Sequence, residues 1–275
     1  MRLTLWIDEP RSEVAIELFH WEYRPPLADL PYLRRYRKRP VPNFGDEIGP
    51  VIVRAILRSE GLPAPELSNE NGRLISVGSV LHLAASGDHV WGSGLNAKRH
   101  LHESPLGDLR FHAVRGPQTA QKLAEAGIDV PRVFGDPGLL LTAVPEYAAL
   151  QGIDKTRHRA VIPNFNDLKA YRRHPDLVSP LQDPLAVARE IARSEFVVGS
   201  SLHAMVFADA LGVPSRLVAS GVEHPFKYDD YYLGSGREKQ LAADSIGHAM
   251  TLGPVDRSEF DPAALLEAFP RMLFR

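Results

Sequence analysis

The residues best suited to chemistry lie in one short turn, Gly199-Ser200-Ser201-Leu202-His203, directly after the apolar run Phe196-Val197-Val198. An apolar strand that stops at glycine and passes straight into a helix exposes backbone N–H groups at the positive end of the helix dipole. Small residues let an anion approach, and two hydroxyls add donors, so the turn can cradle a phosphate or carboxylate. An imidazole in the first helical turn, His203, would then titrate close to that anion. The same residues also suit a plainer arrangement, in which a serine caps the helix and the histidine packs beside it.

Four other turns offer groups of matching kind. In Ala113-Val114-Arg115-Gly116-Pro117 the arginine lies between a strand and a helix. It is expected to point into a cleft, where a guanidinium suits bidentate contact with carboxylate or phosphate; the other use of such an arginine is a surface ion pair. Phe134-Gly135-Asp136-Pro137-Gly138 supplies Asp136, which can orient a catalytic group or cap its own turn. Asn43-Phe44-Gly45-Asp46 carries side-chain oxygens that fit sugar hydroxyls or a helix cap. In the segment Glu223 to Tyr232, Lys227 provides a cation and the tyrosines provide flat faces for a sugar. Gly92-Ser93-Gly94-Leu95-Asn96 is a small polar loop without a complete G-x-G-x-x-G. No H-E-x-x-H, G-x-S-x-G or P-loop is present, no metal-ligand spacing stands out, and there are no cysteines.

The elements that must position these turns alternate in type. Strands are expected at Leu3–Ile7, Arg73–Gly78, His89–Gly94, Leu109–Val114, Ala160–Asn164, Glu195–Gly199 and Pro214–Val218. Arg132–Asp136 forms a further strand end that closes the first half. Helices are expected at Gly49–Ser59, from Pro117 to Ala126, at Pro184–Arg193, at Leu202–Leu211 and at Asp261–Phe269. Alternation of this kind predicts an α/β protein with parallel sheets, whose sites lie at the carboxyl ends of the strands. The polar stretch Glu146–Arg159 reads as a linker. It separates two Rossmann-like lobes, residues 1–148 and 155–275, the second ending in a C-terminal helix.

A formal net charge of -2 over 275 residues gives no general pull toward nucleic acid. The local basic run Arg34, Arg35, Arg37, Lys38 and Arg39 is either a solvated loop or a contact with an anionic surface or phosphate-bearing acceptor. The first residues lack the apolar core of a signal peptide, and no apolar run reaches bilayer-spanning length. A cytoplasmic protein with at most peripheral membrane contact is expected.

Taken in order, these turns resemble those of the polysaccharide pyruvyl transferase family, closest in flavour to bacterial exopolysaccharide ketal-pyruvate transferases. The likeness rests on Asn43-Phe44-Gly45-Asp46, Gly92-Ser93-Gly94, Val114-Arg115-Gly116-Pro117, Gly135-Asp136-Pro137, Ser194 to Pro214, and Lys227-Tyr228-Asp229-Asp230-Tyr231. It implies a GT-B-like pair of lobes. It also implies transfer of pyruvyl from phosphoenolpyruvate, as co-substrate and without cofactor or metal, to two hydroxyls of one sugar. The implied acceptor is a glycan or lipid-linked oligosaccharide at the inner face of the cytoplasmic membrane. On that reading His203 and Arg115 are catalytic. Ser200, Ser201 and Lys227 bind the donor, and Asn43, Asp46 and Asp136 bind the acceptor. One departure stands out: many members carry Arg-Leu-His where this chain has Ser201-Leu202-His203. The competing expectations are a nucleotide-sugar glycosyltransferase on the same architecture and a glycan-binding relative without catalysis.

Overall fold

In a computed structural model of the chain, the described residues are 16–22, 41–65, 72–97, 106–256, 258 and 260–275. The expected strand Leu3–Ile7 and the basic run Arg34 to Arg39 lie outside them. Among the described residues, seven strands form two sheets, and every pairing is parallel. The first sheet runs β1 (Glu17–Phe19), β2 (Arg73–Ile75), β3 (His89–Trp91), β4 (Arg110–Ala113). The second runs β5 (Arg157–Val161), β6 (Ser194–Gly199), β7 (Ser215–Leu217). Val114 extends the first sheet by a single parallel bridge to Phe134, so the expected Arg132–Asp136 strand contributes one pairing only.

Parallel neighbours need crossovers, and helices supply most of them. Helix α1 (Phe44–Ser59) joins β1 to β2 and is followed by α2 (Pro117–Glu125) after β4 and the short α3 (Pro145–Ala148). Between β5 and β6 come α4 (Leu168–Tyr171) and α5 (Pro184–Ala192). Helix α6 (Leu202–Leu211) connects β6 to β7, and α7 (Phe226–Gly234), α8 (Ile246–Leu252) and α9 (Ala263–Glu267) follow. The end of β6 and helix α6 are buried almost throughout, as a central strand and its crossover in a parallel sheet must be. Gly212, with φ +69°, ends α6 in the left-handed conformation that glycine adopts most readily.

Several boundaries depart from expectation. Helix α1 begins at Phe44, well before Gly49, because Asn43 caps it through Oδ1 and Pro50 is tolerated inside it. The apolar spacing of Ile52, Val53, Ile56 and Leu57 marks the helix only from Gly49, while the Asn43 cluster, a cap candidate from its residue types, is where it begins. Strand β5 begins at Arg157, inside the expected linker, because Arg157 and Arg159 find carboxylates at Glu190 and Asp176. Helix α9 begins only at Ala263; Asp261 still accepts from the Ala263 N–H at 2.9 Å.

One apolar cluster runs through both halves, joining Phe44, Ile48 and Trp91 to Ile162, Val197 and Phe207. The C-terminal end closes back on the first sheet. Trp91 donates its indole N–H to Leu265 O at 2.8 Å, and its ring meets Phe269 edge-on at 5.0 Å. Among the described residues, no helix is long and apolar enough to cross a membrane.

Candidate functional site

A pocket of about 320 Å³ opens where the carboxyl ends of both sheets face each other. Trp21, Ser79 and Asn96 reach it from the turns after β1, β2 and β3; Asn164 and Ser201 reach it from the turns after β5 and β6. This is where open parallel sheets place their ligands. Of the residues singled out from sequence, Asn43, Asp46, Ser201, His203 and Lys227 line this pocket.

The N-terminus of α1 forms one wall. Asn43 Oδ1 accepts the Gly45 N–H at 3.2 Å, while Asn43 Nδ2 donates to Asp46 Oδ2 at 2.6 Å. The cap therefore also fixes the Asp46 carboxyl. Burial pushes that carboxyl up to about 7; Lys227 pulls it down, and Glu47 and Asp136 add to the rise. A carboxyl tuned to this range can both give and take a proton near neutral pH.

The start of α6 forms the opposing wall. Ser201 is the N-cap and accepts the Ala204 N–H at 3.3 Å. Ser200 faces away from the pocket: its Oγ donates to Asp167 Oδ2 at 2.6 Å and accepts the Asn164 N–H at 3.0 Å. Its hydroxyl is thus committed to holding the two loops together. His203 packs against the α1 backbone so closely that a Cβ on Gly45 would fall 2.0 Å from its Nδ1. Its Nε2 is shut off from solvent with no hydrogen-bond partner. Burial, with Lys227 and Arg115 nearby, pushes the imidazole down to about 3. His203 is therefore neutral at neutral pH.

Lys227, on α7, is 7% exposed and reaches Glu223 Oε2 at 2.9 Å. The ammonium also sits 5.0 Å from the Tyr228 ring centre. Tyr228 in turn donates to Ser200 O at 2.8 Å, tying α7 to the α6 turn.

Arg115 does not open onto the cleft, which corrects the expectation from its place at a strand end. It is fully buried and pairs with Asp230 of α7, Nη2 to Oδ2 at 2.9 Å. Further donations go to Leu95 O at 2.7 Å and to Ser79 Oγ at 2.5 Å. Asp230 also accepts from the Thr119 N–H and hydroxyl at the start of α2. Arg115 thus stands one residue behind the pocket wall, touching it through Ser79. Asp136 is likewise sealed. Its Oδ1 accepts the Gly138 N–H at 2.9 Å, its Oδ2 has no partner, and burial raises its carboxyl to about 6 against the pull of Gly138 N–H and Arg115.

Sequence reasoning passed over several pocket residues. Trp21, His82, Phe165 and Asn166 stand in no repeated or motif-like context, and only the fold brings them to the mouth. Asp230 was visible inside Lys227-Tyr228-Asp229-Asp230-Tyr231, but its partner is 115 residues away. Aromatic rings beside the amides of Asn43, Asn96, Asn164 and Asn166 are groups that suit sugar faces and hydroxyl pairs.

The model of the family described as "Polysaccharide pyruvyl transferase" matches residues 43–221. The chain is 26% identical over 226 residues to the succinoglycan biosynthesis protein ExoV of Rhizobium meliloti (strain 1021), covering 77% of this chain and 68% of that protein. Among solved structures, a functionally uncharacterized protein from Klebsiella pneumoniae subsp. pneumoniae superposes with a TM-score of 0.51 at 10% identity, over 74% of this chain and 89% of its own. That likeness concerns the α/β fold alone. The matched span runs from the Asn43 cap past β6, α6 and β7, through most of what builds the pocket, and on this ground the chain belongs to the polysaccharide pyruvyl transferase family.

Proposed function

We propose that the protein transfers the pyruvyl group of phosphoenolpyruvate to two hydroxyls of one sugar in an exopolysaccharide or its lipid-linked precursor, forming a cyclic ketal. The observation that carries this reading is a single pocket holding Asp46, His203 and Lys227, drawn from helices α1, α6 and α7. A donor with a phosphate and a carboxylate needs positive partners. Lys227 and the N-terminus of α6, capped by Ser201, supply them.

The reaction needs a proton at the methylene carbon of the donor. Asp46 gives it, because its carboxyl retains a proton near neutral pH. The first sugar hydroxyl adds to the neighbouring carbon and returns its proton to the Asp46 carboxylate. The bond from that carbon to the phosphate oxygen then breaks, and phosphate leaves with the electron pair, held by Lys227. The second hydroxyl attacks the resulting cation, its proton passing to the departing phosphate, and the ring closes. His203, being neutral, orients a hydroxyl by hydrogen bonding and does not donate the proton. Arg115 is a positioning residue that acts through Ser79 and Asp230. Asn43 orients Asp46 and, with the other amides, meets the acceptor.

Ligand-induced stabilisation tests the reading directly. Phosphoenolpyruvate is expected to raise the melting temperature of the protein, and Lys227→Met to abolish the rise. Stabilisation by UDP-glucose with none by phosphoenolpyruvate would make the protein a nucleotide-sugar enzyme instead.

A further inference from the structure

The turn that carries Phe165 and Asn166 at the pocket mouth continues into α4, and the surface beyond it is basic. Lys169, Arg172 and Arg173 are all exposed, and none forms an ion pair among the described residues. Their spacing of three and four positions places them on one side of a helical turn. The nearby acids are engaged elsewhere: Asp167 holds Ser200 and Gly221, and Asp176 holds Arg159. Beneath the cations lies an open groove of about 540 Å³ floored by Leu168, Leu177 and Phe165. It shares Phe165 and Asn166 with the site pocket.

Three unneutralised cations thus stand over a floor that is mostly apolar. A glycan is a poor match for the outer part of this groove. Asn43, Asn96 and Asn164 line the pocket alone; past the shared Phe165 and Asn166 the groove adds Leu168, Leu177 and Ser179, and its outer end is Lys169, Ala170, Arg172 and Arg173. Phosphate headgroups above acyl or glycerol carbon present the complementary pattern. We infer that the Lys169–Arg172–Arg173 face docks on anionic phospholipid headgroups, setting the pocket mouth against the membrane surface. This rests on the proposed function only in placing the acceptor there; the docking itself is independent of catalysis.

The test is co-sedimentation of the full chain with phosphatidylglycerol vesicles and with phosphatidylcholine vesicles. Binding is expected to the first only, and to fade at high salt. The triple variant Lys169→Glu, Arg172→Glu, Arg173→Glu is expected to bind about 100-fold more weakly or worse. Its phosphoenolpyruvate-induced melting shift should be unchanged, which also reports that it folds. Undiminished vesicle binding by that variant overturns the proposal, as does failure of the parent chain to bind phosphatidylglycerol. Binding to soluble polygalacturonate through the same three residues, with no vesicle binding, would assign the face to an acidic glycan and also overturn it. Loss of the phosphoenolpyruvate response with vesicle binding intact would sink the proposed function and leave this inference standing.

Discussion

At the scale of single residues, the site turns on which group carries the proton. A histidine in a first helical turn is the usual candidate for acid–base work. Here burial and two cations hold His203 neutral, while burial lifts Asp46 into the working range. Asp46→Asn keeps the contact with Asn43 but loses the proton. Phosphate release from phosphoenolpyruvate should fall by about 10²–10⁴-fold. In the parent enzyme the donor form is the protonated one, so kcat/KM should decline as pH rises through about 7. A pH–rate profile without that limb, or near-full turnover in the asparagine variant, would return the role to another group. Arg115 makes a different prediction. Removing it leaves Asp230 buried without its cation and with only the Thr119 donors, a loss of about 3–5 kcal/mol. Denaturant unfolding of Arg115→Ala should show this as a much lower midpoint, with the donor affinity of the surviving folded protein affected far less.

At the scale of elements, function depends on how closely α1 and α6 approach. Gly45 lies in the first turn of α1, against the His203 ring on α6, and a methyl group there would overlap Nδ1, Cγ and Cβ of that ring. Gly45→Ala must push the ring or the helix aside. We expect a stability loss of about 1–3 kcal/mol and a drop in turnover larger than that loss explains, measured on protein shown to be folded by circular dichroism. The turn after β6 is held just as tightly. Gly199 has φ +145°, and a Cβ there would fall 2.1 Å from Ile162 O. The serines beyond it divide their work: Ser200 Oγ ties the α6 turn to Asp167 and Asn164, and Ser201 caps the helix and faces the pocket. The choice between cap and site for this turn was therefore not exclusive, because one serine does both.

At the scale of the whole molecule, buried groups in and behind the pocket wall carry opposing proton linkages. Asp46 and Asp136, with carboxyls raised to about 7 and about 6, bind more protons folded than unfolded between their ordinary range and those values. Their contribution to stability is therefore lost as pH rises through that window. His203, lowered to about 3, binds more protons unfolded, so its contribution is lost as pH falls below about 6.5. The two effects oppose each other in mild acid, and near neutrality Asp46 dominates. Urea midpoints should show Asp46→Asn gaining on the parent as pH rises from about 5 to about 8. A constant difference across that range would mean that Asp46 is already ionised in the folded protein at low pH.

The sequence by itself determined the α/β class, the parallel strands and the positions of most turns, because period, glycine breaks and capping residues are local signals. It marked α6 from Leu202 to Leu211 without error and placed Asn43, Asp46, Ser201, His203 and Lys227 among the candidates. It placed α1 only from Gly49, on apolar spacing, and the cap candidate at Asn43, seen separately, proved to be the helix start. It gave no sign that α7 is a helix whose Asp230 would capture Arg115, since that pairing spans 115 residues. Which candidates face the pocket, and which stand behind its wall, depended on long-range contacts of that kind. So did the protonation states of Asp46 and His203. A side chain's pKa is set by the solvent it loses and the charges it meets, and both belong to the tertiary structure.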